Sequence, residues 1–182
     1  MLGLTEDILD LAKMEAGIFA LTENTFKMSD ILTDISFIFG IQCEKKGLAL
    51  VIECSDSLRH SDIWSDINRI RQVLLNLISN AFKFTKEGSI KLSVTKVDAF
   101  VLRFEVADTG IGISESDSTG LFQMFGMVHK HRDEFNMKGT GLGLTISQKL
   151  VERMDGKMLL ESEEGKGTTV SFTIKQHCTG SK

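Results

Sequence analysis

The chain has 182 residues, 42% hydrophobic and 25% charged, enough for one sizeable core and a short appendage. Its net charge of −4 and pI near 5.6 leave no basic footprint, so nucleic acid is not an expected partner. Three cysteines without a CxxC spacing indicate neither a disulfide framework nor a zinc site. No apolar run reaches the roughly 18 residues of a membrane span. We therefore expect a cytoplasmic domain without membrane contact, whether or not its parent protein is membrane-anchored.

Periodicity and capping signals predict the elements in chain order. Leu4, Ile8 and Leu11 recur at spacings of four and three, which predicts a first helix over 4–15 that ends at Gly17. The further predictions are a strand at 18–21, a helix at 29–46 capped by Ser29 or Asp30 and ended by Gly47, a strand at 48–54, a helix capped by Asp66, a hairpin of strands 89–97 and 100–108, an irregular segment at 109–138, a helix at 140–154, and a hairpin of strands 157–162 and 168–175.

Strands and helices are grouped along the chain and do not strictly alternate. Such grouping is typical of an α+β fold, in which helices cover one face of a mixed or antiparallel sheet. The sequence therefore predicts two layers.

The helix that follows Asp66 carries the stretch 76-NLISNAFKF-84 and is amphipathic. Its apolar arc consists of Ile67, Ile70, Leu74, Leu77, Ile78, Ala81 and Phe82. Its polar stripe consists of Arg69, Gln72, Asn76, Asn80 and Lys83. A solvated face is the ordinary explanation of such a stripe. Amides are mediocre helix formers, however, and amide oxygens beside a lysine also suit a magnesium ion and its phosphates.

The stretch 108-DTGIGI-113 follows an alternating strand. Gly110 and Gly112 allow the backbone to approach a ligand closely, and the Asp108 carboxylate can accept hydrogen bonds from an amine. A simple turn is the ordinary explanation of a lone DxGxG motif.

The stretch 139-GTGLGLTIS-147 places Gly139, Gly141 and Gly143 before a predicted helix. Backbone amides at a helix start form an anion site that suits phosphate. The spacing is not GxGxxG, and the chain has no GxxxxGK[ST] motif, so the dinucleotide-binding and P-loop interpretations fail.

The order of these motifs is more specific than any one of them. A helical NxxxN, then DxGxG, then 121-LFQMF-125, then GxGxG resembles the N, G1, F and G2 boxes of the catalytic and ATP-binding domain of sensor histidine kinases. The resemblance runs from about residue 4 to residue 175. It implies a Bergerat-type two-layer α/β sandwich of the GHKL superfamily, with a mixed sheet and helices on one face, preceded by a short N-terminal helix.

The resemblance also implies roles for individual residues. Asn80 would be the magnesium ligand, Asn76 and Lys83 would contact phosphate or the shell of the metal, and Asp108 would bind the adenine amine. The remaining residues of the implied ATP site are Phe84, Gly110, Gly112, Gly139, Thr140, Gly141, Leu142, Gly143, Leu144 and, in support of Asp108, Thr168.

A mobile lid is implied between the DxGxG and GxGxG motifs. Phe122 and Phe125 would anchor it. Lys138 and Met124 stand where the family often has glycine and proline. The resemblance therefore does not define the position of the lid in the absence of nucleotide.

The domain organisation follows from the same resemblance. Residues 1–16 look like the second helix of the dimerisation and phosphotransfer hairpin, residues 17–175 like the ATP-binding domain, and residues 176–182 like a linker stub or tail. The implied cofactors are ATP and Mg²⁺. The implied partners are the missing hairpin helices, a response-regulator receiver domain, and a second copy in a full-length homodimer whose parent chain could be a hybrid kinase.

The implied activity is transfer of the ATP γ-phosphate to a histidine. That histidine would lie on the first hairpin helix, and none of His60, His129, His131 or His177 has a matching context. They are interpreted as surface, lid and tail residues. We therefore expect a catalytic fragment, or a protein that works in trans.

Two alternatives belong to other functional classes. GHKL ATPases carry Glu as general base at the first position of the NxxxN motif, whereas this chain has Asn76, which cannot take a proton. Hydrolysis thus lacks its base, and transfer to a supplied nucleophile is favoured. A nucleotide-binding regulator or pseudokinase without chemistry remains open at this stage.

Overall fold

The computed structural model describes residues 2–114 and 141–176, with residues 2–7 described by their backbone alone. The helices and strands are α1 (Leu2–Glu15), β1 (Asn24–Lys27), α2 (Met28–Lys46), β2 (Leu48–Cys54), α3 (Asp56–Arg59), β3 (Asp62–Ser65), α4 (Ile67–Phe84), β4 (Gly88–Lys96), β5 (Val101–Asp108), α5 (Gly143–Arg153), β6 (Met158–Glu163) and β7 (Gly167–Lys175).

The main sheet has five strands in the order β2-β4-β5-β7-β6. β2 pairs with β4 in parallel, and every other neighbouring pair is antiparallel. Both predicted hairpins are present, as β4–β5 and β6–β7. A separate antiparallel pair joins β1 to β3. The predicted α+β class with a mixed sheet is confirmed.

The core lies between one face of this sheet and the helices α2, α4 and α5. Strand residues alternate between buried and partly exposed, as in a sheet covered on one face. Phe104 and Phe172 are fully buried on adjacent strands, and their rings stack with centroids 4.8 Å apart. The other face carries ion pairs such as Lys91 with Glu53. The helices therefore form the second layer on a single side.

α4 begins where its capping signal predicts. The Asp66 carboxylate accepts hydrogen bonds from the backbone amides of Asn68 at 3.1 Å and Arg69 at 3.2 Å. The second oxygen of Asp66 accepts from the Thr22 amide at 2.8 Å. The cap therefore orients the helix and also holds the segment that precedes β1.

Two details of the first half of the domain differ from prediction. Residues 18–21 form no strand, and the strand lies at 24–27, where Phe26 pairs opposite Ile63 of β3. The Phe19 side chain is buried instead, and its ring centre lies 5.0 Å from the central carbon of the Arg69 guanidinium. Strand pairing with a partner some forty residues away decided the location, which local composition does not encode.

The ends of the predicted helices also shift. Lys27, rather than Ser29 or Asp30, is the N-cap residue of α2, and the Asp30 carboxylate accepts from the Lys27 amide at 3.3 Å. Gly47 ends this helix in the left-handed conformation, as predicted. The last helix begins at Gly143 in the described part of the chain, three residues later than predicted, and ends near its predicted end at Arg153.

α1 is attached to the rest of the domain by polar contacts. Asp10 is buried and forms an ion pair with Arg69 of α4. Glu15 pairs with Lys149 of α5, and Arg153 donates to the carbonyl of Met14 at 3.1 Å. Ile8, on the predicted apolar stripe, is half exposed.

No helix in the described ranges is both long and apolar enough to cross a membrane.

Candidate active site

The polar stripe of α4 is not a plain solvated face. Each of its five residues is only partly exposed, whereas Asn68 and Ser79 of this helix are exposed. Arg69 pairs with Asp10 of α1, and Asn76 contacts Ser147 of α5. The stripe therefore faces elements that are distant in sequence.

Asn76 is held between α4 and α5. Its side-chain nitrogen donates a hydrogen bond to the Ser147 hydroxyl oxygen at 2.9 Å. A Cβ atom added to Gly143 would lie 2.3 Å from the Asn76 amide oxygen. The absence of a side chain at Gly143 is thus what allows the amide to enter this position.

Asn80 lies one helical turn after Asn76 and differs from it. Its side chain has no hydrogen-bond partner within the residues that the structure describes, and it is partly exposed. An amide oxygen in this state can become a ligand of a hard cation such as Mg²⁺. The two asparagines of the NxxxN motif thus have different environments.

Lys83 continues the stripe toward the C-terminal end of α4. Its ammonium nitrogen lies 5.1 Å from the centre of the Phe84 ring. Burial lowers the pKa of Lys83 from its usual value, because the charged form loses hydration. A cation so placed can contact an anionic group bound beside α4.

The start of α5 lies beside Asn76 of α4. Its N-cap residue, Leu142, makes no side-chain capping bond, and Gly141 before it has a φ of 67°. Amides at the start of an 11-residue helix attract an anion. Leu142 is buried, and Leu144 packs against the core, so both anchor this turn.

Asp108 ends β5 directly opposite Thr168 of β7. One oxygen of its carboxylate accepts from the Gly110 amide at 2.8 Å. Burial raises the pKa of Asp108 above the ordinary aspartate value, while hydrogen bonds from the Gly110 and Thr168 amides and the Thr85 hydroxyl act in the opposite direction. The site thus holds a partly desolvated carboxylate that can accept hydrogen bonds from a bound ligand.

The turn after Asp108 is built by close backbone contacts. A Cβ atom at Gly110 would lie 2.5 Å from the Phe84 carbonyl oxygen, which also accepts from the Ile111 amide at 3.2 Å. Gly112 has a φ of +66°, and a Cβ atom there would lie 2.0 Å from the carbonyl oxygen of Glu163. Both glycines are therefore required by space, and the contact with Phe84 brings Asp108 to the end of α4 that carries Asn80.

Sequence reasoning missed three hydroxyl residues that hold these groups in place. Ser147 binds Asn76. Ser162 accepts from the Ile113 amide at 2.8 Å and bonds the Thr168 hydroxyl at 2.8 Å. Thr85 is fully buried at the end of α4. Only the position of Ser147, one turn after Gly143 on the same helix face, offered a signal in the sequence.

Several predicted residues cannot be compared. Phe122, Phe125, Gly139 and Thr140 lie outside the described residues, as do three of the four histidines. The fourth, His60, is exposed, and its Nδ1 atom lies 2.9 Å from the carbonyl oxygen of Asp56. It is a surface residue at the end of α3, in agreement with its interpretation from sequence.

The arrangement fits a purine nucleotide with its metal. The partly buried carboxylate of Asp108 lies at one end, and the Asn80 amide, Lys83 and the start of α5 lie at the other. The described residues include no cluster of three or more His, Cys, Asp or Glu side chains that could hold a metal by themselves. An ion at Asn80 would thus share its coordination with phosphate oxygens, which is the usual way proteins bind Mg²⁺.

Fold and site together define a nucleotide-binding α/β sandwich. The family model described as histidine kinase-, DNA gyrase B-, and HSP90-like ATPase matches residues 65–177. The chain belongs to this family. It is an ATP-binding domain of the type found in sensor histidine kinases, which confirms the resemblance seen in the motifs.

Among curated proteins, the virulence sensor protein BvgS of Bordetella bronchiseptica is 40% identical over 178 residues, which cover 96% of this chain and 14% of BvgS. The aerobic respiration control sensor protein ArcB of Escherichia coli is 37% identical over 172 residues, which cover 94% of this chain and 22% of ArcB. This chain therefore spans less than a quarter of either relative.

Solved structures show the same fold. Full-length ShkA in complex with AMPPNP aligns with a TM-score of 0.83 and 28% identity, over 99% of this chain and 36% of that one. The catalytic domain of histidine kinase ThkA in a nucleotide-free form aligns with a TM-score of 0.71 and 26% identity, over 86% of this chain and 99% of that one.

Proposed function

We propose that this chain binds ATP with Mg²⁺ and delivers the γ-phosphoryl group to a histidine of a helix hairpin, as the catalytic domain of a cytoplasmic kinase module in two-component signalling. The relatives named as sensor proteins and the AMPPNP complex of ShkA support this proposal. The acceptor histidine is expected on a helix that these 182 residues do not contain.

One observation favours phosphoryl transfer over hydrolysis. The residue of α4 that faces the start of α5 is Asn76, and its side-chain nitrogen is engaged by Ser147. An amide cannot take a proton from water. Without a general base at this position, the bound nucleotide is stable until a nucleophile is supplied.

The residues of the site would divide the work as follows. Asp108 accepts a hydrogen bond from the exocyclic amine of adenine. The amides at the start of α5 and the Lys83 ammonium contact phosphate oxygens, and Asn80 holds the metal ion. Mg²⁺ supplies charge neutralisation on the phosphates when it is bound. Catalysis then consists of positioning and electrostatic stabilisation.

We further propose that α1 is the end of the hairpin helix that carries dimerisation and phosphotransfer. Its half-exposed Ile8 and Leu9 would pack against other hairpin helices in a homodimer. The buried ion pair of Asp10 with Arg69 would join this helix to the ATP-binding domain. A response-regulator receiver domain would accept the phosphoryl group from the histidine. Residues 176–182 would connect to the rest of the parent protein.

Labelled ATP tests the proposal. This chain by itself should neither label itself on histidine nor release phosphate above a very slow background. Addition of a longer chain that carries the histidine hairpin should produce acid-labile phosphate on that chain, and a hairpin chain without its histidine is the matched control. Asn80→Ala should abolish the transfer.

Two other results would point to the alternatives. Appreciable steady-state phosphate release by this chain, lost in Asn80→Ala, would establish an ATPase. Tight ATP binding without transfer to any hairpin would establish a nucleotide-binding regulator.

A further inference from the structure

Ser147 lies in the contact between α5 and α4. The residue is 3% exposed, and its hydroxyl oxygen accepts a hydrogen bond from the Asn76 side-chain nitrogen. It lies four residues after Gly143, so both residues lie on the same face of α5. Asn76 therefore contacts two successive turns of α5 through one amide group, with its nitrogen at Ser147 and its oxygen against Gly143.

This pair of contacts fixes two helices relative to each other at the site. α4 carries Asn80, and α5 begins with the amides that favour an anion. A phosphate group that contacts both must find them at a fixed separation. The Asn76 side chain sets that separation because it is wedged between the helices, and the hydrogen bond from its nitrogen determines which way its amide points.

We propose that Ser147 is a positioning residue for phosphate binding. By holding the Asn76 amide, it keeps the start of α5 at a fixed separation from the amide of Asn80, which would bind the metal ion. The inference rests on the proposed function. It assigns the two asparagines of the NxxxN motif to different tasks, Asn76 to joining the helices and Asn80 to the metal ion.

Binding of two ligands separates this role from a general effect on the fold. AMPPNP with Mg²⁺ contacts both ends of the site, whereas adenosine has no phosphate. Calorimetric titration of Ser147→Ala should show AMPPNP affinity reduced by about three- to tenfold, the effect of one lost hydrogen bond, with adenosine affinity changed by less than about twofold. Ser171→Ala is the matched control, because it removes another buried hydroxyl on the sheet face turned away from the helices.

A double-mutant cycle tests whether Ser147 acts through Asn76. In an Asn76→Ala background, the further change Ser147→Ala should have little effect on AMPPNP affinity. Without nucleotide, the Asn76 side-chain amide protons should exchange with solvent slowly in the unmodified chain and faster in Ser147→Ala, as measured by NMR. If Ser147→Ala does not fold, Ser147→Cys keeps the volume with a weaker acceptor and takes its place.

The outcomes are distinct. Equal losses for AMPPNP and adenosine, additive effects in the cycle, or an unchanged AMPPNP affinity would overturn the role of Ser147. Failure of the unmodified chain to bind AMPPNP with Mg²⁺ would instead overturn the proposed function.

Discussion

The two ends of the site are built in different ways. The carboxylate end, formed by Asp108, Gly110 and Gly112, is held by backbone atoms of the strands and of the turn after β5. The described part of the amide end, formed by Asn76, Asn80 and Gly143, is held by a side-chain contact between two helices. The backbone atoms of a strand cannot move without displacing the sheet, whereas a side chain can change its rotamer. The first end should therefore be rigid, and the second should be adjustable.

The largest expected effect comes from a methyl group at the carboxylate end. Gly112→Ala places Cβ 2.0 Å from the Glu163 carbonyl oxygen at a φ of +66°, so that steric overlap and backbone strain act together. We expect the free energy of unfolding to fall by about 2–4 kcal/mol. Denaturant titration measures it. Gly165→Ala is the control, because that glycine shares a positive φ but has no atom within 4 Å of the added Cβ.

Removal of the carboxylate itself should weaken nucleotide binding next most strongly. Asp108→Ala should reduce ATP affinity by roughly ten- to a hundredfold, since hydrogen bonds to a charged group contribute on the order of 1.5–3 kcal/mol. GTP should not bind, because guanine presents a carbonyl oxygen where adenine presents an amine. Asp108→Asn keeps an acceptor oxygen and should lose less than Asp108→Ala. Comparable affinities for ATP and GTP would show that Asp108 does not select the base.

The same small substitution at the amide end should have a milder effect. Gly143→Ala meets only the end of the Asn76 side chain, which can rotate away. We expect the free energy of unfolding to stay within about 1 kcal/mol, because alanine also favours the helix. AMPPNP affinity should fall by about three- to tenfold, as for one lost hydrogen bond. A loss of stability as large as that of Gly112→Ala would break the contrast between the two ends.

The smallest effects are those of pH, and they have opposite directions at the two ends. At the carboxylate end, the pKa of Asp108 is raised, so its carboxylate becomes neutral at a higher pH than that of an ordinary aspartate. The pKa of an ordinary aspartate is about 3.9. Adenosine affinity should fall as the pH decreases through that raised value. In Asp108→Asn this acid limb should be absent. An unchanged acid limb in the variant would mean that another group controls it.

At the amide end, the pKa of Lys83 is lowered, so its charge is lost at a lower pH than that of an ordinary lysine. The pKa of an ordinary lysine is about 10.4. AMPPNP affinity should decrease by a few-fold as the pH rises through that lowered value, on the order of one exposed ionic contact. Adenosine affinity should not change there. Lys83→Arg retains its charge throughout and should remove the alkaline limb.

Local signals in the sequence predicted much of the fold. The Asp66 cap, the left-handed Gly47 and the two hairpins depend on residues within a few positions of one another, and all are present. The error at residues 18–21 had a different origin. Both 18–21 and 24–27 are short segments, and the pairing of Phe26 with Ile63 selected the second one. Strand location in so short a segment depends on its partner.

The sequence by itself determined the class of protein, because the order and spacing of the NxxxN, DxGxG and GxGxG motifs can be identified without a structure. Helical periodicity could not distinguish the two asparagines of the first motif, which have the same side chain on the same helix face, and only the family resemblance assigned the metal ion to Asn80. Only the tertiary structure placed Ser147, 71 residues further along the chain, within hydrogen-bonding distance of Asn76 and left Asn80 without such a partner among the described residues. Periodicity records which face a residue occupies, whereas its partner depends on how distant elements pack.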